Sequence, residues 1–226
     1  MTNDKAKLMN IYDILYSCFG PRHWWPADTP FEVMVGAILT QNVAWVNVEK
    51  AIRNLKEADA LEPSKLAYMD LERLKALIKP TGFYNQKAPR LQHMSRYIVE
   101  RCGGRVDSLF EGDMYEVRGV LLSWPGIGPE TADAMLLYAG NKPIFVIDAY
   151  TRRVFSRLCL LPSDVSYEKA QAYFMSNLPN DVQLFNEYHA LVDELAKRMC
   201  LKRNPSCGRC PLSQCRWAQK EVLADA

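Results

Sequence analysis

Nowhere in the 226 residues do roughly eighteen apolar residues run together, which excludes a membrane-spanning helix. Also missing are a Gly-X-Y repeat, sustained heptads, internal repeats and low-complexity linkers. With 49% hydrophobic and 24% charged residues, collagen, coiled coil and disorder are excluded as well. The opening MTNDKAKLMN has no apolar core and no small-residue cleavage site, so no secretory signal is expected and the cytoplasm is the expected compartment. Histidine is scarce. His23, His93 and His189 show no ligand spacing and read as surface or satisfied core groups. The length suits one large domain or two small ones sharing a cleft.

Net charge is only +2, yet it is unevenly spread. Residues 79–105 carry six Lys/Arg against Glu100, and residues 196–226 carry seven against Glu221 and Asp225. Each stretch is +5 and the remainder is −8. Basic patches on a near-neutral chain fit an anionic partner such as nucleic acid; a solvated surface fits them equally. Of seven cysteines, Cys18, Cys102 and Cys159 sit in apolar-patterned segments and read as reduced and buried. A disulfide framework is not expected in a cytosolic chain of this size.

Apolar residues recur at helical spacing in 6–18, 31–40, 43–57, 71–79, 88–101, 113–122, 130–139, 149–160, 167–177 and 182–199. Thr29-Pro30-Phe31-Glu32 is a capping box with proline at the first helical position. Asp148 is placed to cap the run that follows it. The apolar stretch Ile144–Ile147 is too isolated to imply a sheet. The expected fold is all-α, with ten or so short helices.

Three motifs carry chemistry. In Trp124-Pro125-Gly126-Ile127-Gly128-Pro129-Glu130-Thr131, one helix ends and another begins around a tight hairpin. Its glycines allow unusual backbone angles and close approach. The amides around Gly126 and Gly128, with the helix start behind them, can grip a phosphate without reading sequence. The second motif is Asp148 itself. A carboxylate at a helix N-terminus is held ionised by the helix dipole. Facing a cleft, it can stabilise an oxocarbenium-like transition state or activate water. The third is Cys200-x6-Cys207-x2-Cys210-x4-Cys215, four thiolates interleaved with Pro205, Gly208 and Pro211. That is a metal site, and spacing alone leaves zinc and an iron–sulfur cluster both open.

Taken together these features resemble the helix-hairpin-helix DNA glycosylase superfamily, in its endonuclease III branch. The resemblance runs over roughly residues 10–215. It includes Ile38-Leu39-Thr40-Gln41-Asn42, Thr81-Gly82-Phe83-Tyr84-Asn85-Gln86-Lys87-Ala88, the hairpin, Val146-Ile147-Asp148 and the cysteine run. It implies a six-helix barrel domain over 30–140 that contains the hairpin. A second helical domain, built from 1–29 and 141–226, would carry a [4Fe–4S] loop at 200–215, with the active site in a cleft between the domains. The last cysteine gap is four residues where the family usually has five. The implied partner is double-stranded DNA containing a damaged base, bound by a monomer.

Glu130 stands where endonuclease III has the lysine that attacks the sugar. A carboxylate cannot form that imine, so the resemblance implies base release by water without strand cleavage. A finer resemblance, to the 3-methyladenine DNA glycosylase III subfamily, rests on Trp24-Trp25-Pro26, Trp45, Phe83–Ala88 and Gly128–Asp133. It implies a base pocket of Trp24, Trp25, Pro26, Trp45 and Lys197, void filling by Gln41 and a wedge at Phe83. Gly126, Ile127, Gly128 and Thr131 would bind the DNA backbone, with Asp148 catalytic. The best-known member of that subfamily lacks the cysteine cluster.

The residue types suit the chemistry. An alkylated purine is cationic, leaves as a neutral base and needs little acid catalysis. Indole faces favour the cation by about 0.5–2 kcal/mol per contact, and stacking adds roughly 1–3 kcal/mol per base. The expected activity is therefore a monofunctional N-glycosylase for alkylated purines, 3-methyladenine foremost. The alternatives are an endonuclease III-like enzyme for oxidised pyrimidines or mismatched uracil and thymine, and a non-catalytic iron–sulfur protein that recognises damage.

Overall fold

The computed structural model describes residues 2–212, and among them there is no β-strand. Twelve α-helices are present among the described residues. They are α1 Thr2–Phe19, α2 Pro30–Leu39, α3 Trp45–Glu57, α4 Pro63–Tyr68, α5 Leu71–Ile78, α6 Tyr84–Cys102, α7 Val106–Leu109, α8 Met114–Ser123, α9 Pro129–Ala134, α10 Ala149–Arg157, α11 Tyr167–Asn177 and α12 Val182–Arg198. None of the described helices is long and apolar enough to cross a membrane. The chain divides into two compact units, Trp25–Lys142 and Met1–Trp24 with Pro143–Ala226.

In the unit Trp25–Lys142, α2 is the central helix. Every residue from Phe31 to Leu39 is buried, so it is apolar all round rather than amphipathic. Its start is fixed by Thr29, whose side chain accepts the Glu32 amide at 3.1 Å. Glu32 reaches back to the amide of Asp28 at 3.1 Å, one residue outside the cap. The Lys56 ammonium lies 2.8 Å from the Glu32 carboxylate, which offsets the burial of that charge.

Two short helices, α4 and α7, escape the periodicity because each spans less than two turns. α6 begins at Tyr84, four residues before the apolar pattern starts. Pro89 inside it deletes one backbone bond without ending the helix. α9 runs on into a wider π-helical turn over Met135–Ala139. In the hairpin, α8 and α9 are tied by Arg118, which donates to Asp133 at 2.6 and 3.1 Å. Asp133 is fully buried, so this fork supplies the charge pairing its burial demands.

The other unit packs Phe145, Phe155, Phe174, Phe185 and Tyr188 into one aromatic core. Phe145 and Phe174 stack at 4.2 Å, and Phe155 meets Phe174 edge-on at 4.7 Å. Ile144–Ile147 is buried without sheet partners. Side chains stand in for a ladder there: Gln171 donates to the Phe145 carbonyl at 2.7 Å, and the Ile147 amide donates to the Tyr167 hydroxyl at 3.4 Å.

The isolated cysteines depart from expectation. Cys18 and Cys159 are exposed and Cys102 is half-buried. Cys18 lies on the outer side of the last turn of α1. Cys159 has φ +57° just past the end of α10, where the chain reverses and turns the side chain outward.

Candidate active site

In the unit Trp25–Lys142, the hairpin turn is built around Gly126. Its φ is +71°, in the left-handed region that glycine adopts without strain, and the Arg90 guanidinium packs over it. Gln41 donates to the Gly126 carbonyl and to the Thr131 hydroxyl, each at 3.0 Å. Arg90 donates to the Gln41 side-chain carbonyl at 2.7 Å. Gln41, expected as a void filler, is thus tied to the hairpin expected to grip phosphate. Ile127 is buried, and its amide closes the turn on the Trp124 carbonyl at 3.2 Å. Gly128 caps α9 with extended backbone, and Glu130 lies in the first turn of that helix, exposed.

Phe83 is 60% exposed and holds φ +46°. A bulky residue in the left-handed region is strained, and such strain concentrates at functional loops. Lys87 anchors that loop. Its buried ammonium donates to the carbonyls of Leu39, at 2.8 Å, and Thr81, at 2.9 Å. Each carbonyl lies two residues before a DNA-facing candidate, Gln41 and Phe83. Burial, with the Arg90 charge adding to it, pushes the Lys87 ammonium down to about 8.

A cavity of about 370 Å³ in the same unit is lined by Trp25, Pro26, Gly36, Trp45 and the charged groups of α3. This is within the range of small-ligand pockets. Trp25 meets Trp45 edge-on at 5.3 Å and Tyr138 at 5.4 Å. Gly36 makes room for the Trp25 indole, since a Cβ there would lie 3.0 Å from Cζ2. The Trp45 indole N–H donates to Glu49 at 2.9 Å, which makes that ring more electron-rich.

Trp24 and Lys197 belong to the other unit and meet each other, the ammonium standing 5.8 Å from the indole centroid and 5.6 Å from that of Tyr150. Asp148 caps α10, accepting the Thr151 amide at 2.7 Å. Packed against it is α12, which brings His189 Nε2 to 4.0 Å from Asp148 Oδ1. Asp193 accepts from Lys197 at 2.9 Å. Burial pushes the Asp193 carboxyl up to about 6; Asp148 raises it further, while His189 and Lys197 act against the rise. Lys197 loses from partial burial but is held above the ordinary lysine range by Asp193, Tyr150 and Asp148.

Sequence reading passed over His189, Asp193 and Tyr150 as site residues. The signal that finds the first two is their spacing: 189, 193 and 197 repeat every four residues and share one face of α12.

The described part of the cysteine loop carries Cys200, Cys207 and Cys210, all half-buried. Cys207–Arg209 forms a single 3₁₀ turn, and the Cys210 amide donates to the Cys207 carbonyl at 3.1 Å. The Arg157 guanidinium donates to Cys200 Sγ at 3.2 Å and to the Leu201 carbonyl at 2.8 Å. A cationic donor is thus aimed at the sulfur of the first cysteine of the run. Cys215, the fourth expected ligand, lies outside the described residues.

Residues 35–180 match the HhH-GPD superfamily of base excision DNA repair proteins. A candidate DNA repair glycosylase of Methanocaldococcus jannaschii is 46% identical over 94% of this chain and 96% of its own length. Endonuclease III of Thermotoga maritima is 35% identical over 84% of this chain and 83% of its own. Among solved structures, H. pylori 3-methyladenine DNA glycosylase bound to 1,N6-ethenoadenine superposes with a TM-score of 0.74 at 30% identity, covering 84% of this chain and 97% of that one. The chain belongs to the HhH-GPD superfamily, in the endonuclease III branch of the helix-hairpin-helix DNA glycosylases. It is a DNA repair glycosylase of that family.

Proposed function

We propose that this glycosylase releases alkylated purines, 3-methyladenine foremost, by hydrolysis and without cutting the strand. The observation that carries the reading is the indole-lined cavity, in which the Trp45 N–H is bonded to the Glu49 carboxylate. An indole polarised in this way favours a cationic ring over a neutral one. Likeness to the H. pylori 3-methyladenine glycosylase supports the same substrate class, and membership of a base excision DNA repair superfamily supports DNA as the partner.

The steps follow from the residues. Hairpin amides and basic surface hold phosphates of double-stranded DNA. Phe83 and Gln41 occupy the space of the extruded nucleotide, whose unstacking costs a few kcal/mol. The cationic base stacks on Trp25 and Trp45. As the C1′–N bond breaks, its electron pair leaves with the base, and the Asp148 carboxylate stabilises the positive sugar. Water then adds at C1′ and gives up its proton to the Asp148 carboxylate, which passes it to solvent, leaving an abasic site. Glu130 offers no amine, so no imine forms.

Cys200, Cys207 and Cys210, with Cys215, would hold a [4Fe–4S] cluster, which when bound supplies a staple for the basic loop. The protein is taken to act as a monomer in the cytoplasm.

The test is a panel of duplexes bearing an alkylated purine, an oxidised pyrimidine, or mismatched uracil or thymine, with borohydride present in a parallel set. Release of the alkylated purine and no covalent adduct is expected. Release of an oxidised pyrimidine with efficient trapping would transfer the chain to the endonuclease III activity, which the T. maritima relative favours. Lesion binding with no base released at high enzyme excess would make it a damage-recognition protein.

A further inference from the structure

α12 presents His189, Asp193 and Lys197 in one line toward the N-terminus of α10, where Asp148 sits. One ligand atom each of Asp148, His189 and Asp193 falls within a span of 4.8 Å. Lys197 closes the far end on Asp193 at 2.9 Å. Imidazole, carboxylate and ammonium therefore follow one another along one face of α12, with the Asp148 carboxylate at the N-terminus of α10 beside them. Two carboxylates this close repel strongly in a partly buried setting, and the imidazole and ammonium are what let them coexist. The Lys197 ammonium already supplies the countercharge that a divalent cation would otherwise bring.

Helix capping alone leaves Asp148 loosely specified. The Thr151 amide takes one oxygen, Oδ1, and the same oxygen faces His189. The imidazole is buried to 8% exposure, so it is a fixed wall rather than a mobile surface group. Resting on the reading that Asp148 supports C1′–N cleavage, we infer that His189 and Asp193 are positioning residues, which fix the orientation and charge balance of the Asp148 carboxylate from α12. Neither touches the substrate. Asp193 holds the Lys197 ammonium beside Asp148 and, through Lys197, ties the chain of charges to Trp24 and Tyr150. Burial of a carboxyl such as Asp193 against another carboxylate costs stability that packing alone would not call for, and such costs gather at functional sites.

The experiment measures single-turnover base release at saturating enzyme, lesion-duplex Kd and Tm for wild type, Asp148→Asn, His189→Ala, His189→Gln and Asp193→Asn. His189→Ala is expected to slow release about 100-fold, the scale of a misplaced catalytic group, with Kd within about 3-fold. His189→Gln keeps a nitrogen donor near the same place and is expected to recover the rate to within about 10-fold of wild type. Asp193→Asn should slow release with Kd again unchanged, because binding does not use it. A merely structural role would instead lower Tm and raise Kd together, with no rescue by glutamine. That result overturns the inference. If His189→Ala does not fold, the Gln and Asn variants carry the test. Inactive Asp148→Asn beside fully active His189 and Asp193 variants would sink this inference alone. Fully active Asp148→Asn would sink the reading beneath it, and with it the inference.

Discussion

Gly36 shows how one residue can serve the site and the helix at cross purposes. Glycine in the middle of α2 costs about 0.5–1 kcal/mol relative to alanine. The Trp25 indole lies so close that a Cβ would stand 3.0 Å from Cζ2 and 3.2 Å from Nε1. Gly36→Ala is therefore expected to leave Tm nearly unchanged, helix propensity offsetting the crowding. It should nonetheless push Trp25 into the cavity and lower kcat/KM for alkylated purine by about 10-fold, equivalent to ~1.4 kcal/mol. Unchanged kcat/KM would mean that the seat of Trp25 is not part of the base pocket. Single residues of this kind were partly legible beforehand. Asp148 was placed as a helix cap from its neighbours alone, and it caps α10. His189 was not picked out, although it shares a four-residue spacing with Asp193 and Lys197, because its approach to Asp148, forty-one residues earlier, shows only in the fold.

Among elements, the most informative is the pair of loops preceding Asn42 and Tyr84, both hung on Lys87. An ammonium that bridges the carbonyls of Leu39 and Thr81 ties the loop of Gln41 to the loop of Phe83. Its folded-state value, about 8, lies below the ordinary 10.5. Between those values the unfolded chain binds more protons than the folded one, so this group makes stability rise with pH across that window. Tyr12, Tyr173 and Tyr188 have raised values and act in the opposite sense at more alkaline pH. Urea unfolding of wild type and Lys87→Met from pH 7 to 10 isolates the term. Wild type should gain stability relative to the variant as pH rises, and a constant difference would contradict the assignment. Helix recognition succeeded where an apolar stripe ran for two turns or more. It lost α4 and α7, which are too short to show a period, and the first turn of α6, where Tyr84–Lys87 precede the apolar stripe. The buried run Ile144–Ile147 resisted a label because side chains of Gln171 and Tyr167, not neighbouring strands, satisfy its backbone.

For the whole molecule, the all-helical class could be read from periodicity and glycine–proline punctuation, since no long alternating run competes with the 3.6-residue period. What periodicity could not supply is the grouping of charges. Gln41, Arg90 and the hairpin residues Gly126 and Thr131 come from three separate segments yet form one hydrogen-bonded cluster. The same holds for the indole cavity, where Trp25, ahead of α2, meets Trp45, at the start of α3. Family membership makes the chain a repair glycosylase, while the proposed substrate rests on the indoles of Trp25 and Trp45 and the proposed reaction type on two carboxylates, Asp148 and Glu130. The most direct measurement is chromatographic identification of the bases that wild type and Asp148→Asn free from methylated genomic DNA. Wild type should liberate 3-methyladenine, while Asp148→Asn should still bind that DNA and liberate none. Equal liberation by the two proteins, or no methylated purine from wild type, would contradict the account.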